Sequence, residues 1–393
     1  MSKILFINGN VHGHINPTLA LVRELTARGE EILYFSTEGF RNKIEAAGAA
    51  FMPYGEKLND FLKAFRPSGN HPFYTLVEFM LAMDEAVIPL VLEKTNGLEF
   101  DLLIHDSMFG GGKVLAKKLG LPAICSCTSF AMCRLPVPSY MLKPGFHPQL
   151  DGLYRGMEKA AGLWGLDSLE IMDIFFKKEE MNLVYTSKLF QPDADDFDDS
   201  FKFVGPSIRQ SFGETDFPVD ELDNARVLYI SMGTINNGCT GFYQNCMEAF
   251  AGENMRVVMA VGDKTEIPSL GRIPENFIVR NYVPQLEVLK KADAFISHGG
   301  LNSVSEALYY GVPVAAVPQA NDQPAVARRL ETLGAGIRLE MEKITPELLK
   351  AAVGRLLEED GYRAASRRIG DSFRAAGGYK AAAEHVLNFG KSL

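Results

Sequence analysis

Short apolar runs alternate with amphipathic segments along most of the chain. In the first half, runs of strand length are bounded by polar or glycine-containing segments, and the stretches from Pro17 to Arg28 and from Lys113 to Leu119 have helical spacing. An alternation of strand and helix predicts a parallel sheet in an α/β fold. The predicted strands of this half are 3–7, 31–35, 51–53, 100–105, 121–126, 183–186 and 201–204.

The same pattern starts again in the second half. Residues 206–225, rich in Gly, Pro and acidic residues, separate the two halves and are predicted to be a linker. We therefore expect one α/β domain at 1–205 and a second at 226–375. The predicted strands of the second domain are 226–231, 256–261, 277–280, 294–297 and 312–317.

One polar stretch, 282–323, has the order expected of a ligand-binding segment. Its polar groups follow strands 294–297 and 312–317, and ligands of open α/β sheets bind beyond the carboxyl ends of the strands. Gly299 and Gly300 open a helix whose unpaired N–H groups suit a phosphate. Ser303 and Glu306 lie one turn apart on that helix, although Ser-x-x-Glu is also the pattern of a capping box.

The loop after the first strand carries a second candidate group. It lacks Gly-x-Gly-x-x-Gly, so a nicotinamide dinucleotide is a poor candidate ligand here. Asn16 as N-cap and Pro17 as first helical residue predict that His14 lies just outside a helix N-terminus. Asp106 is predicted to follow strand 100–105 at the same sheet edge, so it could meet His14. A turn or capping Asp is the alternative.

The amino-acid composition of the chain argues against several classes of function. The chain has 393 residues, 47% of them hydrophobic, and a net charge of −9, which gives no electrostatic footprint for nucleic acid or an anionic membrane. No apolar run reaches the ~20 residues of a membrane span, so we expect a cytoplasmic protein. Five cysteines do not suggest a disulfide framework.

Taken together, the motifs resemble those of a known family. Tyr282-x-Pro-Gln, His298-Gly-Gly-x-Asn-Ser-x-x-Glu-Ala, Gly311-Val-Pro and Pro318-Gln-x-x-Asp-Gln resemble the donor-binding signature of the family 1 UDP-sugar glycosyltransferases, close to bacterial macrolide- and flavonoid-modifying members. Gly13-His14-x-x-Pro17 is similar to their Gly-His-x-x-Pro. Tyr282 stands where many members have Trp. The resemblance implies the α/β fold called GT-B, in which two Rossmann-like domains face each other across a cleft, with a helix in 376–393 that packs back onto the first domain.

The resemblance also implies roles for individual residues. Tyr282 and Val283 would hold uracil, Glu306 the ribose, and Asp322 and Gln323 the hydroxyls of the transferred sugar. For Asp322 and Gln323, an ordinary polar loop that caps a helix at Pro324 is the alternative. The diphosphate and the remaining donor contacts would fall to Ser231, Gly233, Thr234, Gln285, His298, Gly300, Asn302 and Ser303.

The implied reaction is an inverting transfer. His14 would act as base, oriented by Asp106, and a sugar, glucose as first choice, would pass from a UDP-sugar to a small apolar hydroxylated acceptor such as a flavonoid, another phenolic or a macrolide. No cofactor is expected, and no metal is needed if His298 and the helix dipole carry the phosphate charge. The acidic run 193–199 contains an Asp-x-Asp, which holds a divalent metal in another class of glycosyltransferase, but a solvated loop is favoured here. The aromatic and Met-rich segment 130–182 suits either an acceptor pocket or a lid packed on a core. A lipid or cell-wall GT-B enzyme and a non-catalytic nucleotide-sugar-binding relative stay open as alternatives.

Overall fold

The described chain divides into two compact units. The computed structural model describes residues 1–109, 111–208 and 216–392. The first unit contains 1–185, 193–207 and 377–393, and the second contains 186–192 and 208–376. The predicted linker 206–225 falls partly on residues 209–215, which lie outside the described residues.

Strands and helices alternate in both units, as the hydrophobic pattern predicts. The strands are β1 Lys3–Ile7, β2 Glu31–Ser36, β3 Ala50–Pro53, β4 Leu102–Asp106, β5 Ala123–Cys127, β6 Met181–Val184, β7 Phe201–Phe203, β8 Val227–Ser231, β9 Arg256–Ala260, β10 Phe277–Arg280, β11 Ala294–Ser297, β12 Val314–Ala316 and β13 Gly336–Arg338. The helices are α1 His12–Ala27, α2 Arg41–Glu45, α3 Glu56–Ala64, α4 Pro72–Lys94, α5 Gly112–Leu119, α6 Pro148–Trp164, α7 Ile171–Phe175, α8 Thr240–Phe250, α9 Gln285–Lys291, α10 Leu301–Tyr309, α11 Gln323–Thr332, α12 Pro346–Glu358, α13 Asp360–Ala375 and α14 Gly378–Lys391.

Each unit is built on one parallel sheet with helices on its faces. Within the described residues, the first unit has seven strands in the order β3-β2-β1-β4-β5-β6-β7, and the second has six in the order β10-β9-β8-β11-β12-β13. All paired strands run parallel. The strand order reverses between β1 and β4 in one sheet and between β8 and β11 in the other. Such switch points leave a crevice where ligands bind in open α/β sheets.

The last helix of the chain belongs to the first unit. Helix α14 lies against α1, and Ala382, Ala383 and Val386 are buried in the same apolar cluster as Leu19 and Val22. The Gly378 N–H donates to the Val204 carbonyl at 2.6 Å. The C-terminal residues thus complete the core on one face of the first sheet.

Residues 186–192 belong to the second unit, whereas the sequence analysis placed them in a first domain ending at 205. The Arg329 guanidinium of α11 donates to the carbonyls of Leu189, Phe190 and Gln191 at 2.8–3.1 Å. The Phe190 ring also packs edge-on against Phe373 of α13. These contacts come from residues far along the chain, so local composition could not indicate them.

Two local predictions were wrong. Helix α1 begins at His12, not at Pro17, because Val11 already accepts the N–H groups of His14 and Ile15. Pro17 lies inside the helix and removes only its own N–H from the ladder. Strand β13 was missed because three residues are too few to show alternation. No helix in the described ranges is long and apolar enough to cross a membrane.

Candidate active site

His14 and Asp106 meet at the switch point of the first sheet. β1 and β4 are hydrogen-bonded neighbours, Asp106 is the last residue of β4, and His14 lies in the first turn of α1, which follows β1. The Nδ1 atom of His14 lies 2.8 Å from Oδ2 of Asp106. The Asp106 side chain is fully buried, whereas the His14 side chain is 23% exposed. The exposed part of the imidazole can therefore contact a bound molecule, while the buried carboxylate holds the ring by a hydrogen bond.

The hydrogen bonds define the protonation of this pair. Burial alone would raise the pKa of Asp106, but the charge and hydrogen bond of His14 and the Met108 N–H outweigh it, so the pKa is lowered. An ionised carboxylate only accepts hydrogen bonds, so His14 carries its proton on Nδ1. Nε2 is then the basic nitrogen of the ring. This is the arrangement of a general base with an orienting carboxylate.

Thr128 is a third member of the group that the sequence analysis missed. It follows β5 directly, and its hydroxyl lies 2.9 Å from Nδ1 of His14 and 3.3 Å from Oδ2 of Asp106. The carboxyl ends of β4 and β5 share an edge of the sheet, and that rule could have indicated Thr128 beforehand. Its hydroxyl gives Oδ2 of Asp106 a second donor besides His14 and restricts where the imidazole can sit.

The second switch point holds His298 between two glycines. A Cβ added to Gly233, after β8, would lie 2.6 Å from Cε1 of His298, and one added to Gly300, after β11, would lie 2.5 Å from its Nε2. Only glycine at both positions leaves room for this ring position. Gly300 is also the N-cap of α10. The imidazole therefore lies beside the unpaired N–H groups at the start of α10, which suit an anion.

Burial favours the neutral form of His298. Burial lowers its pKa to about 4, although the Ser231 backbone opposes part of this effect. Within the described residues, no hydrogen-bond partner reaches the buried Nδ1 of His298. A neutral imidazole still donates one hydrogen bond, so the positive potential here comes mainly from the helix N-terminus.

Glu306 belongs to a half-buried chain of side-chain hydrogen bonds. The Tyr229 hydroxyl donates to Oε1 of Gln285 at 2.9 Å, and the Gln285 amide donates to Oε2 of Glu306 at 2.5 Å. Burial raises the pKa of Glu306 to about 7, even though the bond from Gln285 lowers it. Ser303 and Glu306 both lie inside α10, whose N-cap Gly300 has no side chain. The capping-box alternative is thereby excluded, and the carboxylate is available to a ligand.

The other predicted donor residues differ in exposure and partners. Tyr282 is 61% exposed. Gln323 is buried, and its amide oxygen accepts the N–H groups of Gln319 and Ala320 at 2.8 and 3.1 Å. Only its amide nitrogen is left for a sugar. Asp322 occupies the N-cap position of α11, although its side chain makes no capping bond. Among the others, Ser231 is buried, Thr234 is exposed, and Val283 and Asn302 are half-buried.

The acidic run 193–199 makes ion pairs with neighbouring basic residues. Arg134 contacts Asp196 and Lys178 contacts Asp198, each at 2.6 Å. Over the described ranges, no group of three or more His, Cys, Asp or Glu side chains is arranged to hold a metal ion. Two carboxylates of the acidic run, those of Asp196 and Asp198, thus have basic partners within the first unit.

A cavity of about 280 Å³ lies near the carboxyl ends of β4 and β5, although neither His14 nor Asp106 lines it. Its wall includes Ser107 and Met108, which follow Asp106, and Ser129, which follows Thr128. Phe175 and Phe176, from the segment predicted as acceptor pocket or lid, also line it, whereas Trp164 is part of the core and Tyr140 and Phe146 are exposed. The remaining apolar lining residues are Cys127, Phe130, Ala131, Met132, Cys133, Met172, Phe197 and Phe201.

Comparison with known proteins covers both units of the chain. A family profile described as "Erythromycin biosynthesis protein CIII-like, C-terminal domain" matches residues 244–378. The chain is 35% identical to the "Uncharacterized UDP-glucosyltransferase YdhE" of Bacillus subtilis (strain 168), over 95% of each chain. It is 31% identical to "Demethyllactenocin mycarosyltransferase" of Streptomyces fradiae, over 98% of this chain and 86% of that one.

A solved structure shows the same fold over nearly the whole length. The calicheamicin glycosyltransferase CalG4 superposes with a TM-score of 0.84 at 29% identity, covering 99% of this chain and 98% of that one. Both parallel sheets are therefore those of a GT-B enzyme. With relatives above 30% identity along nearly all of its length, the chain belongs to the family 1 glycosyltransferases, enzymes that transfer a sugar from a nucleotide donor.

Proposed function

We propose that the enzyme transfers a sugar, glucose as first choice, from a UDP-sugar to a hydroxyl of a small apolar acceptor such as a flavonoid, another phenolic or a macrolide, with inversion at the anomeric carbon. The observation that carries the proposal is the His14–Asp106 pair, whose Nδ1–Oδ2 distance is 2.8 Å at the switch point of the first sheet. A base held in this way suits deprotonation of an acceptor hydroxyl.

The acceptor oxygen becomes nucleophilic as its proton leaves. Nε2 of His14 takes that proton, and Asp106 stabilises the imidazolium that forms while holding the ring through Nδ1. The oxygen attacks the anomeric carbon from the face opposite the UDP group, the bond to UDP breaks, and a β-glycoside results from an α-linked donor. The transition state has oxocarbenium character, as in other reactions at an anomeric carbon.

The donor is proposed to bind at the second switch point. The N–H groups at the start of α10, the Ser303 hydroxyl and neutral His298 would hold the diphosphate, while Glu306 accepts hydrogen bonds from the ribose hydroxyls. Tyr282 is exposed enough to stack on the uracil. Asp322, at the end of the polar loop, would bind the hydroxyls of the sugar. The name of the Bacillus relative makes UDP-glucose the first donor to test.

The cavity of the first unit supports a small acceptor. Its volume of about 280 Å³ lies at the low end for ligand pockets, and aromatic and Met side chains form part of its wall beside polar and charged residues. Lys113 and Asp173, 2.5 Å apart, and Lys178 and Asp198 add charged groups to the same wall. A planar phenolic compound would match the aromatic surface and leave its hydroxyl toward the polar edge near Asp106.

The experiment combines purified protein, UDP-glucose and a panel of phenolic and macrolide acceptors. UDP release should depend on the acceptor, and the product should show a β-anomeric linkage by NMR. Activity should survive EDTA, because we propose that helix N–H groups and side chains hold the diphosphate. An α-linked product would contradict the single displacement, and loss of activity that manganese restores would contradict the proposed diphosphate site.

A further inference from the structure

A second, buried histidine lies directly next to the proposed catalytic pair. His105 precedes Asp106 on β4, so the two side chains point to opposite faces of the sheet. The ring is fully buried. Its Nδ1 atom lies 3.1 Å from the Asp106 carbonyl oxygen, and its Nε2 atom lies 3.1 Å from Oε1 of Glu179. Both ring nitrogens therefore face oxygens.

This geometry requires a proton between His105 and Glu179. A neutral imidazole has one N–H, and neither a carbonyl oxygen nor a carboxylate can donate to its second nitrogen. Both contacts are hydrogen bonds only if the ring is doubly protonated or the Glu179 carboxyl carries the proton. In either case the pair is neutral overall and links the backbone of Asp106 to the chain at Glu179.

The surroundings hold the His105 ring in one place. A methyl group at Gly112, the first residue of α5, would overlap the ring, and Cys125 of β5 is its partner in the strand register. Another charged group in this region is Asp84 of α4, whose buried carboxylate binds the buried Lys177 ammonium at 2.7 Å. The imidazole thus has little room to turn away from the Asp106 carbonyl.

Contacts of Lys177 and Glu179 help to fix the chain after and before Asp106, respectively. Asp84, the partner of Lys177, also accepts the Gly111 N–H at 2.7 Å, which fixes the end of the loop that leaves Asp106. Glu179, through His105, fixes the strand residue that precedes Asp106. Lys177 has a φ of +44°, a conformation unfavourable for a residue with a side chain. Such strain is retained where the surrounding contacts hold it.

We propose that His105 and Glu179 are positioning residues, which hold the Asp106 carboxylate against His14 through the peptide that joins residues 105 and 106. The proposal rests on the function proposed for His14 and Asp106. Neither His105 nor Glu179 needs to touch a substrate. If their link is lost, the carboxylate can move relative to the imidazole, and a displacement of about 1 Å can cost about 100-fold in rate.

Glu179→Gln tests the proposal, because it removes the charge and the shared proton with little change in volume. Glu180→Gln is the matched control, since Glu180 is the adjacent, exposed residue. We expect Glu179→Gln to lower kcat about tenfold with a weakly acidic alcohol acceptor and much less with an acidic phenol, which needs less help in losing its proton. UDP affinity should stay unchanged, and Glu180→Gln should match the wild type throughout.

Three results would overturn the proposal. One is identical kinetics for the two variants, and another is an equal loss for every acceptor together with a lower Tm, which indicates damage to the fold alone. The third comes from the wild type: histidine ¹⁵N NMR that shows His105 with one N–H, together with carboxyl ¹³C NMR that shows Glu179 ionised, both at neutral pH. His14→Ala and Asp106→Asn are measured in parallel. If these two keep the wild-type rate with the weakly acidic acceptor, the proposed base is wrong; if only Glu179→Gln keeps the wild-type rate, the positioning role is wrong.

Discussion

Asp106 uses its two carboxylate oxygens for different partners. Oδ1 accepts the Met108 N–H at 2.8 Å, which is the turn role that the sequence allowed, and Oδ2 faces His14 at 2.8 Å. The sequence could place Asp106 at the sheet edge because a strand pattern ends there, but it could not show how the oxygens divide. Which oxygen faces which partner depends on the position of Thr128 and on the backbone conformation around Asp106, and packing of the folded chain determines both.

Glu306 provides a prediction for pH dependence. Its pKa of about 7 means that the carboxyl is largely protonated in mildly acidic solution, when it accepts fewer hydrogen bonds. We expect UDP affinity of the wild type to rise from about pH 6 to about pH 8, and the Glu306→Gln affinity to be nearly flat. Calorimetry at both values checks this. Equal pH slopes for the two proteins would contradict the proposed ribose contact.

The same carboxyl should influence stability in the opposite direction. The folded-state pKa lies above the ordinary value of 4.5, so between 4.5 and about 7 the folded protein holds a proton that the unfolded chain has lost. This contribution is complete below the lower value and is lost as pH rises through the higher one. It amounts to at most about 3 kcal/mol. Thermal denaturation without ligand should show the decline in the wild type and a smaller decline in Glu306→Gln.

At the scale of elements, the order of strands and helices was predictable and several ends were not. Strands that consist of buried apolar residues, such as β1 and β11, were predicted correctly, because a short apolar run is visible in the sequence. The start of α1 was missed because Pro17 suggested a first helical residue, while the bonds to the Val11 carbonyl begin the helix earlier. The sequence could not show that Gly233 and Gly300 leave space for His298, because this space arises only when β8 and β11 are neighbours in the sheet.

Gly300→Ala tests the space around His298. The backbone of Gly300, at φ −65° and ψ 138°, is allowed for alanine, so the effect should come from the new Cβ, 2.5 Å from Nε2 of His298. Displacing the ring should weaken UDP binding by about 1–3 kcal/mol. Gly241→Ala is the control, because no atom lies within 4 Å of its added Cβ and alanine favours the helix. Wild-type UDP affinity in Gly300→Ala would contradict the arrangement.

At the scale of the whole molecule, the two α/β patterns predicted the two parallel sheets. What they could not supply were the contacts between distant segments, such as Arg329 with the carbonyls of residues 189–191, or α14 with α1. The core on one face of the first sheet is therefore completed by residues near the end of the chain. This arrangement makes the stability of the first unit depend on α14.

Val386→Asp should test that dependence. Val386 is 1% exposed within the cluster that contains Leu19 and Val22, so a carboxyl there loses its hydration. We expect a loss of about 3 kcal/mol or more in the free energy of unfolding, measured by denaturant titration. Asn388→Asp, at an exposed position of the same helix, should change stability little. Similar unfolding midpoints for the two variants would show that α14 contributes little.

The central claim is that His14 and Asp106 act together as the base, and a double-mutant cycle on kcat tests it most directly. With a weakly acidic acceptor, His14→Ala should nearly abolish transfer, Asp106→Ala should cost less, and the double variant should be almost as active as His14→Ala alone. Residues that work as one unit show this strong non-additivity. An acidic phenol should restore part of the activity of His14→Ala, while UDP affinity stays at the wild-type value in every variant. Independent, multiplicative losses without relief from the acidic phenol would show that the two residues do not act together and that His14 is not the base.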